Sequence, residues 1–186
     1  MNVQEILDQA KNSMIKANDF CKSQISKVRT GRATASLVDS LKIDYYGSPT
    51  PLSQTSTVSV PDARIIIIQP WDRSLLQAIE KAIQQADLGF NPQNDGTVIR
   101  ISVPPLTEER RKEFVKLCKK YSEEGKIAIR NLRRDEMDSL KKAEKDKQIS
   151  EDDRKKGEEK LQKLTDEHIK SLDEALAKKE KELMED

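Results

Sequence analysis

The sequence predicts an α+β protein: an antiparallel three-helix bundle with a small β-rich α/β domain inserted between its first and second helices. Three observations predict it. Apolar residues recur at steps of three and four near both ends of the chain. Five of the seven prolines lie between Gly31 and Val103, among short β-branched runs. Charged residues make up 36% of the chain and aromatics only 4%, which suits long solvated helices around a thin core.

The first helix is expected from Asn2 to Arg29. Asn2 and Glu5 have capping-box spacing. Val3, Ile6, Ala10, Met14, Ala17, Cys21, Ile25 and Val28 form its apolar stripe. Lys22, Lys27 and Arg29 gather near its end, where positive charge complements the helix dipole. Gly31 terminates it.

From Gly31 to Pro105 the texture changes. Residues 42–46, 55–60, 64–68 and 98–103 read as strands. Gly47-Ser48-Pro49 and Asn94-Asp95-Gly96 read as turns. Arg73 to Asp87 reads as a helix with Leu76, Ile79, Ala82 and Ile83 on one side. Trp71, at the turn before it, reads as local core, with a partner contact as the sharper alternative. A segment of about 75 residues is enough for a modest core.

The second helix opens after Pro104-Pro105 and runs from Thr107 to about Asp146, a rod on the order of 60 Å long. Phe114, Cys118, Tyr121, Ala128, Leu132 and Ser139 are assigned to its apolar stripe. Lys126, Arg130, Arg133 and Met137 share a second direction, roughly 130° around the axis. Gly125 within it costs on the order of 1 kcal/mol relative to alanine and allows a slight bend. Lys147-Gln148-Ile149 makes a short turn, and Ser150 with Asp153 caps a third helix. Its stripe is Leu161, Leu164, His168, Leu172, Ala175, Leu176 and Leu183. So short a connection sends the third helix back along the second.

The bundle is thus built from 1–30 and 106–186, and 31–105 is the insert. Two connections join them. Thr30, Gly31 and Arg32 form one, and Pro104 with Pro105 forms the other. A flexible glycine opposite a stiff diproline is the composition of a hinge.

The chain is nearly neutral, but its charge is segregated. Residues 107–134 hold ten Lys and Arg against five Asp and Glu, a net of +5. Residues 135–186 hold thirteen against eighteen, a net of −5. Such a pattern fits either solvated helix faces with i,i+4 pairs or a polyanion footprint. Arg130, Arg133 and Arg134 fall within little more than one turn, with Lys126 a turn earlier. Arginine forks match phosphate oxygens, and a rigid helix holds them at fixed spacing. The scarcity of aromatics disfavours base stacking and favours folded RNA read by shape and phosphate.

Catalysis has little to stand on. His168 is the only histidine, and it falls on an apolar stripe. The glycines are scattered, so no phosphate-cradling loop is present. Cys21 and Cys118 fall on apolar faces and read as buried thiols, with no CxxC pair for a metal. No catalytic residue, cofactor or metal is expected. No apolar run is long enough to span a membrane, and the first residues lack signal-peptide character. The expected setting is cytoplasmic, and the competing reading is a helical scaffold that binds proteins through its charged faces.

Five segments carry a family resemblance. They are Ile25-Ser26-Lys27-Val28-Arg29-Thr30-Gly31-Arg32-Ala33, Tyr45-Tyr46-Gly47, Pro104-Pro105-Leu106-Thr107-Glu108-Glu109-Arg110-Arg111-Lys112, Arg130-Asn131-Leu132-Arg133-Arg134-Asp135 and Ile149-Ser150-Glu151-Asp152-Asp153. In order and spacing the chain resembles the bacterial ribosome recycling factors along its whole length. The resemblance implies a non-enzymatic, L-shaped, monomeric translation factor with tRNA-like dimensions. It implies that, with elongation factor G and GTP, such a factor splits the post-termination ribosome into subunits. It implies a bundle that contacts large-subunit rRNA through Arg130 and Arg133, with Arg110 and Arg29 as weaker carry-overs. Gly31 and Pro104-Pro105 match the family's interdomain linkers.

Overall fold

The computed structural model describes residues 1–185. In chain order the elements are α1 (Val3–Ser26), β1 (Lys42–Tyr45), β2 (Ser48–Pro51), β3 (Ser56–Asp62), β4 (Ile65–Pro70), α2 (Leu76–Gln85), β5 (Pro92–Asn94), β6 (Ile99–Ser102), α3 (Glu108–Lys145) and α4 (Glu151–Met184). The chain divides into two compact units. One is Met1–Arg29 with Glu108–Glu185, and the other is Thr30–Thr107.

The helical unit packs α1, α3 and α4 against one another. The Asn2 side chain accepts from the Glu5 N–H while the Glu5 carboxylate accepts from the Asn2 N–H, both at 2.8 Å, so the capping box at the start of α1 is complete. The amino group of Met1 donates to Gln148 Oε1 at 2.6 Å, in the turn between α3 and α4. At the other end, Lys179 Nζ donates to the carbonyl of Ser26 at 3.2 Å. Thus α1 and α4 run parallel, and α3 runs antiparallel to both.

α1 stops at Ser26, three residues before the expected Arg29. Lys27 is its C-cap, and Arg29 lies beyond the helix. The negative end of the α1 dipole is therefore met by Lys179, from a distant part of the chain. α3 ends in a Schellman motif. Gln148 N–H bonds Ala143 O and Lys147 N–H bonds Glu144 O, each at 2.9 Å, with Lys147 at φ 57°. Ser150 and Asp153 cap α4 as the sequence predicts.

The seam of α3 differs from the predicted stripe. Its buried residues are Cys118, Ser122, Gly125, Ile129, Glu136, Leu140 and Ala143. Ala128 is exposed, and Phe114, Tyr121 and Leu132 lie at the margin. The seam is rotated by about 55° from the expected direction. The reason is close helix approach. A Cβ on Gly125 would lie 2.6 Å from Cys21 Sγ, and one on Gly157 of α4 would lie 3.0 Å from Leu140 Cδ2. Gly125 and Gly157 are buried here because their Cβ positions are already filled, Ser122 is buried beside them, and a search for apolar residues passes over all three. Gly125 is a contact point inside an unbroken α3.

In the second unit β3, β4, β6 and β5 form one antiparallel sheet in that order, and β1 and β2 form a separate hairpin. Alternation in β4 sends Ile66 and Ile68 inward, where they meet Ile99 and Ile101 of β6 and Ile79 and Ile83 of α2. Two strands take in the edges of predicted turns, and Asp95-Gly96 stay in the second turn. The hairpin turn is Tyr46-Gly47, at φ 48° and 84°, so Ser48 and Pro49 already belong to β2. Asn94 closes β5, whose register pairs it with Ile99. Trp71 is not core: it is 68% exposed, and its indole N–H donates to Thr57 Oγ1 at 3.1 Å.

Candidate nucleic-acid interface

The basic residues of α3 sit beside its buried seam. Lys126, Arg130, Arg133 and Met137 point about 80° from the centre of that seam. Position around the axis then sorts them. Lys126, on the near side, has only 17% of its side chain exposed and is ion-paired with Asp173 of α4. Arg133 is half-buried, and its Nη1 donates to Gln162 Oε1 of α4 at 2.7 Å. Arg130 and Arg134, on the far side, are exposed.

These partners leave different amounts of charge available. Asp173 neutralises Lys126. Gln162 is an uncharged amide, so it holds the Arg133 guanidinium in place and leaves its positive charge uncompensated. Arg130 is 3.4 Å from Glu123 Oε1, at the long limit for a hydrogen bond and in open solvent. Exposed pairs of this kind contribute about 0–1 kcal/mol, which a phosphate competitor readily replaces. The structure thus brings Arg130, Arg133 and Arg134 together as a charged patch, with Lys126 at its edge as a tie to α4.

The other two basic candidates lie apart from this patch. Arg110 is twenty residues before Arg130, about 30 Å along the helix. Its Nη1 donates to Glu113 at 2.7 Å, and its guanidinium lies over the Phe114 ring at 4.9 Å. Arg29 is half-buried beyond the end of α1. Both belong to the end of the bundle where α1 finishes and α3 begins. Lys116 was missed by motif reading. It is exposed on the same side as Arg130 and Arg134, which a helical projection of α3 alone reveals.

The acidic stretch after residue 134 is not a separate patch in space. Asp173 and Glu180 of α4 reach Lys126 and Lys119 of α3, so part of the local excess is compensated across the helix interface. Arg154 is likewise held between Glu144 and Glu158. What stays positive is the outward side of α3.

The linker candidates have a clear local geometry. Ala33 N–H bonds Ala63 O at 2.8 Å, and Val103 N–H bonds Arg64 O at 2.7 Å, so both connections are fastened to the β-rich unit up to those residues. Between these anchors and the helices lie residues 27–32 on one side and residues 104–107 on the other. Gly31 adopts φ 83°, and a Cβ there would sit 3.1 Å from Leu106 Cγ, so the two connections touch where only glycine fits.

The titratable interior is structural. Asn18 Nδ2 lies 3.3 Å from His168 Nδ1 and 3.2 Å from the His168 carbonyl, and burial holds the imidazole below its ordinary pKa. Burial pushes the Cys21 and Cys118 thiols up. Among the described residues no His, Cys, Asp and Glu group could hold a metal ion, and no helix is long and apolar enough to cross a membrane.

Known proteins match this architecture along its length. The family model described as ribosome recycling factor matches residues 21–184. A ribosome-recycling factor of Oleidesulfovibrio alaskensis is 56% identical over 180 residues, covering 97% of this chain and 98% of that one. The solution structure of a ribosome recycling factor superposes with a TM-score of 0.80 at 43% identity, covering 99% of this chain and 98% of the other. The T. thermophilus ribosome recycling factor, described together with E. coli elongation factor G as bound to the E. coli post-termination complex, superposes with a TM-score of 0.66 at 44% identity, covering 99% and 100%. With most of its length inside the family model and full-length relatives above half identity, this chain belongs to the ribosome recycling factor family.

Proposed function

We propose that this protein binds the post-termination ribosome and, together with elongation factor G and GTP, splits it into subunits. The observation that carries the reading is the exposed arginine patch of α3 in a chain whose structural relative is described on that complex with that factor. The protein itself is non-catalytic, monomeric and cytosolic in this reading, and the energy comes from GTP hydrolysis by its partner. The helical unit anchors to large-subunit rRNA. Arg130, by releasing its weak pair with Glu123, and Arg134 supply exposed forks to phosphates, Arg133 adds a third from a fixed position, and Arg110 and Arg29 add charge near the start of α3. Lys126 contributes mainly by tying α3 to α4.

The β-rich unit moves at the paired connections. The hinge in this reading is short: Thr30 to Arg32 on one side, and Pro104 with Pro105 on the other. Anchors at Ala33 and Val103 support bending on the helical side of both residues. Cross-linking the two units is expected to abolish splitting while leaving ribosome binding intact. Full activity of the cross-linked protein overturns the motion.

Co-sedimentation with large subunits tests the anchor. Arg130→Ala/Arg133→Ala should weaken binding by about tenfold or more and lower the salt slope by roughly 1–2. Arg130→Ala/Arg134→Ala removes no bond to α4 and separates binding from folding. Unchanged affinity and slope in a folded double variant sinks rRNA anchoring. Capture of proteins alone, with no ribosomal subunit, favours the scaffold reading instead.

A further inference from the structure

The β-rich unit displays three aromatic rings that its core does not use. Tyr45, Tyr46 and Trp71 are 40%, 78% and 68% exposed. In a chain with only 4% aromatics, leaving these in solvent is costly unless they have a use. They are also held in place. The Tyr45 and Tyr46 rings meet edge to face at 4.8 Å. The Trp71 indole is fixed by Thr57, and the Tyr46 hydroxyl donates to Asp72 Oδ2 at 3.2 Å. Tyr45, Trp71 and Asp72 line one cleft, with Thr50 and Gln54 at its rim.

Tyr46 is the informative residue. It sits at φ 48° in a two-residue hairpin turn, a conformation that suits asparagine or glycine and disfavours a bulky side chain. Its exposure shows that burial does not offset this. Strain retained at an exposed aromatic points to a contact outside the molecule.

The chemistry of the cleft selects its occupant. Flat π faces beside a carboxylate attract a planar cation. The Ser74 N–H bonded to Asp72 holds that carboxyl below its usual range, so it is charged at neutral pH. A nucleic-acid phosphate would be repelled by the same group. We infer that the cleft lined by Tyr45, Trp71 and Asp72, with Tyr46 braced against Tyr45 and Asp72 beside it, is a docking site for an arginine side chain presented by a basic protein partner. The guanidinium stacks on Trp71 and Tyr45 and directs its N–H groups to Asp72. This site is independent of the α3 patch and serves a different class of partner.

Trp71 is the only tryptophan, so its indole resonance reports this cleft alone. The full-length protein is titrated with acetyl-Gly-Arg-Gly-amide and with its citrulline analogue, which keeps the shape and loses the charge. The arginine peptide should produce a saturable Trp71 shift with a dissociation constant on the order of 5 mM, and the citrulline peptide none. Asp72→Asn retains a residue able to cap at that position and should weaken binding by about fivefold or more. Tyr46→Gly relaxes the turn and should also weaken binding while leaving the fold as stable or more so. Equal shifts from the two peptides, no shift with arginine, or unchanged binding in Asp72→Asn overturns the inference. A Trp71 shift with a single-stranded RNA oligonucleotide but not with the peptide assigns the rings to nucleic acid and also overturns it.

Discussion

The β-rich unit closes over Ile43, Ile66, Ile68, Ile79, Ile83, Ile99 and Ile101, each no more than 1% exposed, whereas the helical unit buries Asn18, Ser122, Glu136, Thr165 and Lys179 along its seam. The first is held by a compact branched-aliphatic core made from sheet alternation and one helix face. The second is held by an extended, thin contact in which small residues let helices approach, and Asn18, Thr165 and Lys179 are each hydrogen-bonded within it. Their surfaces differ accordingly. The long helices expose a great deal of charged area per buried residue, which suits a polyanion. The sheet unit concentrates its exposed aromatics in one cleft.

The largest expected effect sharpens this contrast. Ile68→Ala should cost the β-rich unit about 3–4 kcal/mol. Trp71 fluorescence should report its unfolding well before helical circular dichroism is lost. A single coincident transition would mean the two units do not fold separately. Next is Gly125→Ala. Helix propensity alone favours alanine by about 1 kcal/mol, but overpacking against Cys21 costs about 2–3 kcal/mol, so a net loss is expected in thermal melts. A gain would show that the seam has slack.

A smaller effect separates the two cores by pH. His168 belongs to the helical unit, and burial lowers its pKa from 6.5. The unfolded chain takes up a proton near pH 6.5 that the native imidazole takes up only at lower pH. Stability of the helical unit should therefore be full above that pH and fall as the solution is acidified below it. The β-rich unit contains no histidine and should not share this step. His168→Gln should remove it, as urea titrations at several pH values would report. The smallest effect is Lys147→Gly, which relieves φ 57° in the α3–α4 turn and should stabilise the helical unit by about 0.5–1 kcal/mol. No change in the urea midpoint would mean that Lys147 meets little strain there.

Both cores were legible to different degrees for the same reason. In the β-rich unit the buried residues are mostly hydrophobic, with Thr55 and Ser56 as polar exceptions, so Ile65 to Ile68 and the Leu76, Ile79 and Ile83 face could be read directly. In α3 the buried set includes Ser122, Gly125 and Glu136, which hydrophobicity does not mark. The predicted stripe consequently turned by about 55°, and the basic residues seemed to oppose the seam when they flank it. That error mattered for the site. It hid the division between Arg130 and Arg134, which are exposed and make no bond to α4, and Lys126 and Arg133, which also grip α4. Trp71 was misplaced because an isolated tryptophan beside a turn gives no sign of whether its ring faces in or out.

The sequence by itself determined the fold class, the capped ends of α1 and α4 and the cluster of arginines. These depend on neighbours a few residues apart, and local spacing records them. The tertiary structure decided which face of α3 is buried and which cations remain uncompensated. It also decided that Lys179 closes the end of α1 and that Tyr45, Trp71 and Asp72 line one cleft with Tyr46 beside it. Those depend on close approach and charge pairing between residues far apart in the chain, where the identity of a residue does not reveal its partner.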